Sequence, residues 1–479
     1  MEATMKEDPR ARRTLRSGLV TTGLALVLLT ATVGPADAIP AFARKYQTSC
    51  QTCHIAYPKL NPFGTAFRLR GYRMPGETEE MVKEAPVALG AEGYKRVWPR
   101  SVWPSSIPGT IPLSIDTRLA DVTEHSGETG ETHSNDFRFP ESVELLSGGT
   151  LGDTASFFGA LEFEVEEEVD TEIGHAEVHF NGLWKTGTKF NVKIGRFIPE
   201  ATATFTHGAV LTDEGPANML GFNPIGFGGS ATIGAGGHHG GGGGIALPGG
   251  VDGIEIYGIA SHRLMYSVGA ANGIPGAEET RDGNGSKDVF GRVAYKWGGL
   301  PLDGEGYQAG PKPWREKSLQ IGVFGYSGNG GGIFFEGADE NAGRFLEDRN
   351  FDRYGFDVNA YVGDVNFIGG YVSGTDTLAT FVAPAGEGGE GEPGGDEHAD
   401  EHADEHGEPV DLEFVSSGDF DYSAWFGEAD VVFLPWLQGA VRYEFLDPSS
   451  EGSDNFERIT VNGTFLIRAN VKGILEYQK

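Results

Sequence analysis

From residue 111 onward the chain repeats one pattern: runs of roughly eight to twelve residues in which apolar and polar side chains alternate, separated by Gly, Asn, Asp and Pro. Period-two alternation puts successive side chains on opposite faces, so each run reads as a strand with one apolar and one polar face. Candidates lie at 111–120, 137–147, 155–166, 174–184, 189–198, 253–261, 264–271, 288–297, 318–326, 354–362, 365–373, 412–417, 422–433, 437–445, 456–466 and 469–477, about sixteen strands. Some neighbours are joined by a few residues, as at 362–365, 433–436, 466–469 and 184–189. Others are joined by long polar or glycine-rich segments: 200–250, 273–287, 300–317, 328–353 and 375–409.

Short turns on one rim and long loops on the other, with strands of about ten residues, are the pattern of an outer-membrane β-barrel. No stretch after the N-terminal leader reaches the roughly eighteen apolar residues of a membrane helix. A soluble β-sandwich or propeller competes, because mean hydropathy is −0.28. No fixed period of roughly forty to fifty residues supports blades. Trp184, Phe197, Trp297, Tyr326, Trp425, Phe433, Trp436 and Tyr443 sit at strand ends, as interfacial girdles require. Glycine, 74 of 479 residues, suits many turns and a curved wall.

Both cysteines lie in Cys50-Gln51-Thr52-Cys53-His54, the C-x-x-C-H arrangement of covalent haem attachment. Two thiols at this spacing add to the two vinyl groups of one haem, and the adjacent imidazole becomes the proximal iron ligand. A zinc site would need more Cys or His at ligand spacing within about sixty residues, and none is present. A thioredoxin-like dithiol would need a βαβ setting that is absent here. A structural disulfide is the remaining bland reading. The expected cofactor is therefore one covalent haem c, bound by Cys50, Cys53 and His54, with His54 on the iron.

Upstream, Arg10, Arg12, Arg13 and Arg16 precede an apolar run at 18–30, and Ala36-Asp37-Ala38 follows. This reads as a signal peptide, 1–38. Residues 39–98 form the haem segment and 99–110 a connector, leaving 111–479 for the barrel. In the haem segment Phe42, Tyr57, Phe63, Phe67 and Tyr72 can cover a porphyrin, and short helices are expected at 49–57 and 63–69. The segment is too short to hold a core of its own. Met74 is the first candidate for the sixth ligand; Met81 is near, and His125 and His133 are remote.

The net charge of −32 argues against a nucleic-acid partner and for attraction of cations. In the acidic segment 387–408, His398, His402 and His406 recur every fourth residue among carboxylates. They could hold divalent metal weakly at the surface; the alternative is a solvated acidic loop. His238 and His239, in a glycine run, are a weaker signal.

Over residues 39–72 the chain resembles the fused monohaem cytochrome c–porin family of bacterial outer membranes, whose best-known members oxidise ferrous iron. Pro40, Phe42, Ala43 and Arg44 carry the resemblance before the motif; Pro58, Leu60, Phe63, Gly64, Phe67, Gly71 and Tyr72 carry it after. The chain has Lys45-Tyr46 where iron oxidisers usually have Gln-Thr, and Thr65 where they have Arg, so it looks like a sister branch. The resemblance implies an all-β transmembrane barrel of about sixteen antiparallel strands with the c-type haem segment as an N-terminal plug. It implies electron transfer between an extracellular donor, with Fe(II) a candidate, and a periplasmic carrier. The alternative is a porin whose haem plug is structural or sensory.

Overall fold

Residues 41–75 are held together by short elements. Helix α1 (Ala41–Tyr46) leads to a tight turn at Cys50–Thr52, then to strands β1 (His54–Ala56) and β2 (Lys59–Leu60) and helix α2 (Pro62–Leu69). Asn61 caps α2 by accepting from the Gly64 amide at 2.9 Å, and Pro62 occupies the first turn, where its missing N–H costs nothing. The helix expected at 63–69 is present. The one expected at 49–57 is not: the chain reverses at Tyr57-Pro58 and His54–Ala56 pairs with Lys59–Leu60 instead.

The computed structural model describes residues 41–75, 87–88, 92–101, 106–107, 109, 112–125, 132–152, 154–165, 169–201, 210–212, 251–272, 286–308, 310–330, 333–336, 343–346, 349–382, 413–447, 455–468 and 470–479. The leader, the 387–408 segment with His398, His402 and His406, and Met81, His238 and His239 lie outside them. Two minor strands, β3 (Val87–Ala88) and β4 (Ser106–Ile107), pair with each other on either side of helix α3 (Glu92–Val97).

The wall follows: β5 (Leu113–His125), β6 (Thr132–Leu151), β7 (Ala155–Val165), β8 (Val169–Phe180), β9 (Asn191–Phe197), β10 (Val251–Ala260), β11 (Leu264–Asn272), β12 (Lys287–Gly298), β13 (Glu316–Gly330), β14 (Ile333–Glu336), β15 (Gly343–Leu346), β16 (Arg349–Gly363), β17 (Val365–Val382), β18 (Glu413–Leu434), β19 (Leu437–Asp447), β20 (Phe456–Arg468) and β21 (Val471–Gln478). Among the described residues these seventeen strands form one closed barrel. Two expected strands, 412–417 and 422–433, are one continuous β18, because β17 pairs with it as far as Val382 opposite Glu413. The 328–353 segment, read as a loop, contains the hairpin β14–β15, while β13 and β16 pair directly beneath it.

The barrel is inside out relative to a soluble protein. Along β12, Val289, Val293 and Trp297 are about half exposed, whereas the intervening Asp288, Arg292 and Lys296 are at most 6% exposed. Apolar side chains face outward and charged ones face the lumen, the pattern lipid imposes on a spanning strand. The lumenal charges are paired: Arg292 makes two bonds to Asp357 at 2.6 and 2.7 Å, Lys193 meets Glu255 at 2.7 Å, and Glu444 accepts from Arg442 and Arg458. A band of inward aromatic residues, including Phe290, Phe324, Tyr326, Phe351, Tyr422 and Phe426, fills another part of the interior. Phe197 and Tyr326 belong to this cluster and not to a girdle, since they fall on the inward register of their strands. Trp184, Trp297, Trp425, Phe433 and Trp436 are exposed, as girdle positions should be, and Tyr443 is half-buried.

Candidate haem-attachment site

The motif occupies one turn and the strand that follows it. Ser49 Oγ accepts from the Gln51 amide, and the Cys53 amide donates to the Cys50 carbonyl at 3.2 Å, so the two thiols stand at opposite ends of a single tight turn. Asn61 then clamps that turn. Its amide donates to the Cys53 carbonyl at 2.9 Å, and its Nδ2 donates to the carbonyls of Gln51 and Thr52 at 3.1 and 3.0 Å. Gly64 completes the contact, because a Cβ there would lie 2.0 Å from the Cys53 carbonyl oxygen.

His54 Nδ1 lies 3.0 Å from the Pro58 carbonyl oxygen. A carbonyl only accepts, so Nδ1 carries the proton and Nε2 keeps its lone pair, the arrangement seen when a histidine ligates through Nε2 and is oriented through Nδ1. Burial pushes the imidazole down to about 4, which the Pro58 and Lys59 backbone bonds only partly offset. It is neutral, hence able to ligate, at physiological pH. Burial, with the neighbouring Cys50 second, pushes the Cys53 thiol up to about 12. Cys50 is also raised by burial, and the two cysteines are not joined to each other by a disulfide.

Cys53 packs against an aromatic cluster of Tyr46, Phe63, Phe67 and Tyr72 that also holds Met74, with Phe42, Phe158, Leu300 and Tyr307 around it. Tyr72 stacks between Phe42 and Phe158, at centroid distances of 5.2 and 5.4 Å, and Tyr307 lies 4.1 Å from Phe63. Met74, the first sixth-ligand candidate, is therefore buried in the same cluster as Cys53. His125 and His133 are not brought near: they flank the β5–β6 connection at the opposite rim. Tyr57, expected as a cover, pairs its ring with His54 at 5.3 Å. The donor set and its apolar surroundings fit a covalent haem.

The plug is tied to the wall mainly through cations. Lys59 Nζ meets Asp430 at 2.6 Å, Arg68 forms a two-bond pair with Glu200, Arg73 donates to the carbonyls of Gly152 and Ala155, and Lys45 donates to Thr150. Burial alone would raise the Glu200 carboxyl; Arg68 outweighs it and brings the group down to about 2. Tyr72 donates its hydroxyl to Glu177, which also contacts His179 at 3.0 Å. Sequence reading missed these anchors, although a signal was present: residues 41–75 contain six Lys and Arg and no Asp or Glu, in a chain of net charge −32.

The contacts also fix the end of the barrel at which the motif sits. Gln51 donates to the Pro435 carbonyl in the β18–β19 turn, Lys472 at the start of β21 donates to the Tyr57 carbonyl, and Ile55 packs on Trp314 in the β12–β13 connection. All three belong to the short-turn rim, the periplasmic one in bacterial barrels. The β12–β13 connection, 300–317, expected among the long loops of the other rim, lies here instead, because β12 and β13 meet at the same end as the 363–365 and 434–437 turns. From the other side the β9–β10 connection turns inward: Glu200 reaches Arg68, and Leu211 packs on Ala56 while its amide donates to Glu428.

No protein-family model matches the chain, and no curated protein sequence matches it. Solved structures do. OmpF of Salmonella typhi, determined with daunomycin, aligns over 76% of this chain and 89% of its own at 10% identity and a TM-score of 0.44. An anion-selective porin of Comamonas acidovorans aligns over 77% and 88% at 12% identity and a TM-score of 0.39. OccK2 of Pseudomonas aeruginosa, determined with glucuronate, aligns over 77% and 91% at 10% identity and a TM-score of 0.31. By its own geometry the chain is a closed β-barrel with apolar side chains outward and charged ones in the lumen, the sorting of a membrane-spanning barrel. The N-terminal plug is seated in the short-turn mouth of this barrel.

Proposed function

We propose that this barrel carries one covalent haem c in its N-terminal plug and passes electrons between a donor that reaches the lumen from the long-loop side and a carrier on the short-turn side. The observation that carries this reading is the geometry of Cys50, Cys53 and His54. Two thiols are held a single turn apart, followed by a neutral imidazole whose Nδ1 is tied to the Pro58 carbonyl. Bound there, the haem would supply a one-electron couple.

The protein's own residues do the rest. Cys50 and Cys53 would hold the group, His54 would offer Nε2 to its iron, and Met74, buried in the cluster against Cys53, would be the candidate for a further ligand. Phe42, Phe67 and Tyr72 keep water from it, and Asn61 with Gly64 keeps the turn rigid, as a reproducible electron-transfer distance requires. The −32 charge gathers cationic donors, Fe(II) among them.

Purified outer-membrane protein should show haem bands that Fe(II) or another donor reduces within its turnover time. A protein that carries haem but accepts electrons from no donor would refute the transfer role. The second reading, a channel whose plug is structural or sensory, draws on the depth of the plug's anchoring at Lys59–Asp430 and Arg68–Glu200. It predicts solute flux through liposomes without delivery of electrons to a carrier.

A further inference from the structure

Charge is sorted between the two rims. On the long-loop side, the β17–β18 connection at 383–412 holds eleven Asp and Glu and no Lys or Arg, and the β7–β8 connection is Glu166-Glu167-Glu168. On the short-turn side the exposed charges are mostly cationic. Lys185 and Lys189 lie in the β8–β9 turn, Lys312 and Arg315 in the β12–β13 connection, and Arg468 at the end of β20. Asp364 lies between two of these cations, 3.3 Å from Lys312 and 3.9 Å from Arg315, and is itself only 30% exposed.

Two of these cations are near the motif. Lys312 and Arg315 flank Trp314, which is buried against Ile55, the residue after His54. Lys472 holds the Tyr57 carbonyl at 2.7 Å.

We infer that the short-turn mouth is a docking surface for a soluble protein with an acidic face, the electron carrier of the reading above, on which this inference rests. Complementary charge orients such a partner, and the strongly acidic opposite rim would repel it. Anionic lipid is the competing occupant of a cationic rim. It is disfavoured because the Lys312–Arg315 segment lies across the mouth, with Trp314 packed inward on Ile55, Tyr361 and Val432, and not along the lipid-facing wall.

The test uses the full-length protein in lipid nanodiscs, probed with an acidic and a basic soluble c-type cytochrome by interferometry over a salt series. Wild type should bind the acidic probe and weaken with salt as exposed charges are screened; the basic probe, drawn to the acidic segments of the chain, is the control whose signal the rim substitutions should not reduce. K312E/R315E/R468E should weaken binding by about tenfold or more. The milder K312Q/R315Q/R468Q should fall between, with heat-modifiable gel migration reporting an intact barrel in both. Failure of wild type to bind the acidic probe, or full binding of it by a folded triple variant, would overturn the proposal. So would loss of adsorption to phosphatidylglycerol vesicles with the acidic probe still bound. Binding is read without redox chemistry, so the two readings fail separately: wild type without haem refutes electron transfer, and haem-bearing wild type that does not bind refutes docking.

Discussion

Lys59 and Asp430 form a 2.6 Å ion pair with side chains 1% and 2% exposed, one from the haem segment and one from strand β18. Removing one member leaves the other charge buried and unpaired, which costs about 3–5 kcal/mol. Lys59→Met should therefore release the plug without unfolding the barrel. Limited proteolysis should cut residues 41–75 in the variant while heat-modifiable migration of the barrel persists. Lys59→Met with Asp430→Leu should restore much of the protection, because the orphaned charge is gone.

Gly64→Ala should disturb the motif turn from outside it. The added Cβ would lie 2.0 Å from the Cys53 carbonyl oxygen, so the turn or helix α2 must move. Haem content per barrel should fall severalfold relative to Thr65→Ala, a change at the next helical position that leaves this contact alone. Absorbance in the haem bands against total protein measures the ratio.

The two thiols should differ in reactivity when the plug folds without haem. Burial raises both, and Cys53 reaches about 12, so its thiolate is scarce at neutral pH. Alkylation followed by mass spectrometry should label Cys50 faster than Cys53, with the difference lost on denaturation. On the proposed reading, the thioether bonds would form before the plug docks. Equal labelling of both would contradict the packing of Cys53 in the aromatic cluster.

The connection at 299–315 should loosen as pH rises. His262 is raised by its hydrogen bond to Asp303, at 2.6 Å, and by that carboxylate's charge. A raised folded value means the contact contributes fully below the ordinary histidine value of about 6.5. It is lost as pH climbs through the higher folded value. Hydrogen exchange of 299–315, corrected for intrinsic rates, should rise over that window in wild type and stay flat in His262→Asn.

Alternation along β12, where Asp288, Arg292 and Lys296 interleave with Val289, Val293 and Trp297, makes the barrel legible, because a spanning strand must sort its faces. Strand limits were less so. Gly418 and Asp419 read as a break, yet β18 runs through them because β17 offers a continuous ladder, and ladder pairing overrides local propensity. The same holds for Phe334 and Phe335, in a hairpin hidden within a glycine-rich stretch. At the candidate site, Cys50, Cys53 and His54 stand out in the sequence as one motif, and the structure holds them in one turn and the strand after it. Asn61, Lys59 and Tyr307 are not, since each acts on a contact distant in sequence or hidden in a loop. The turn expected as a helix at 49–57 failed because Asn61 binds the Gln51, Thr52 and Cys53 carbonyls that a helix would use.

The central claim is that Cys50 and Cys53 carry haem. Intact-mass spectrometry with a haem-stained denaturing gel, on protein purified from outer membranes, tests it most directly. Wild type should carry the mass of one haem and stain through denaturation. Cys50→Ala/Cys53→Ala should lose both signals while the barrel still inserts. Wild type at the mass of the bare polypeptide, or a double variant that keeps covalent haem, would contradict the account.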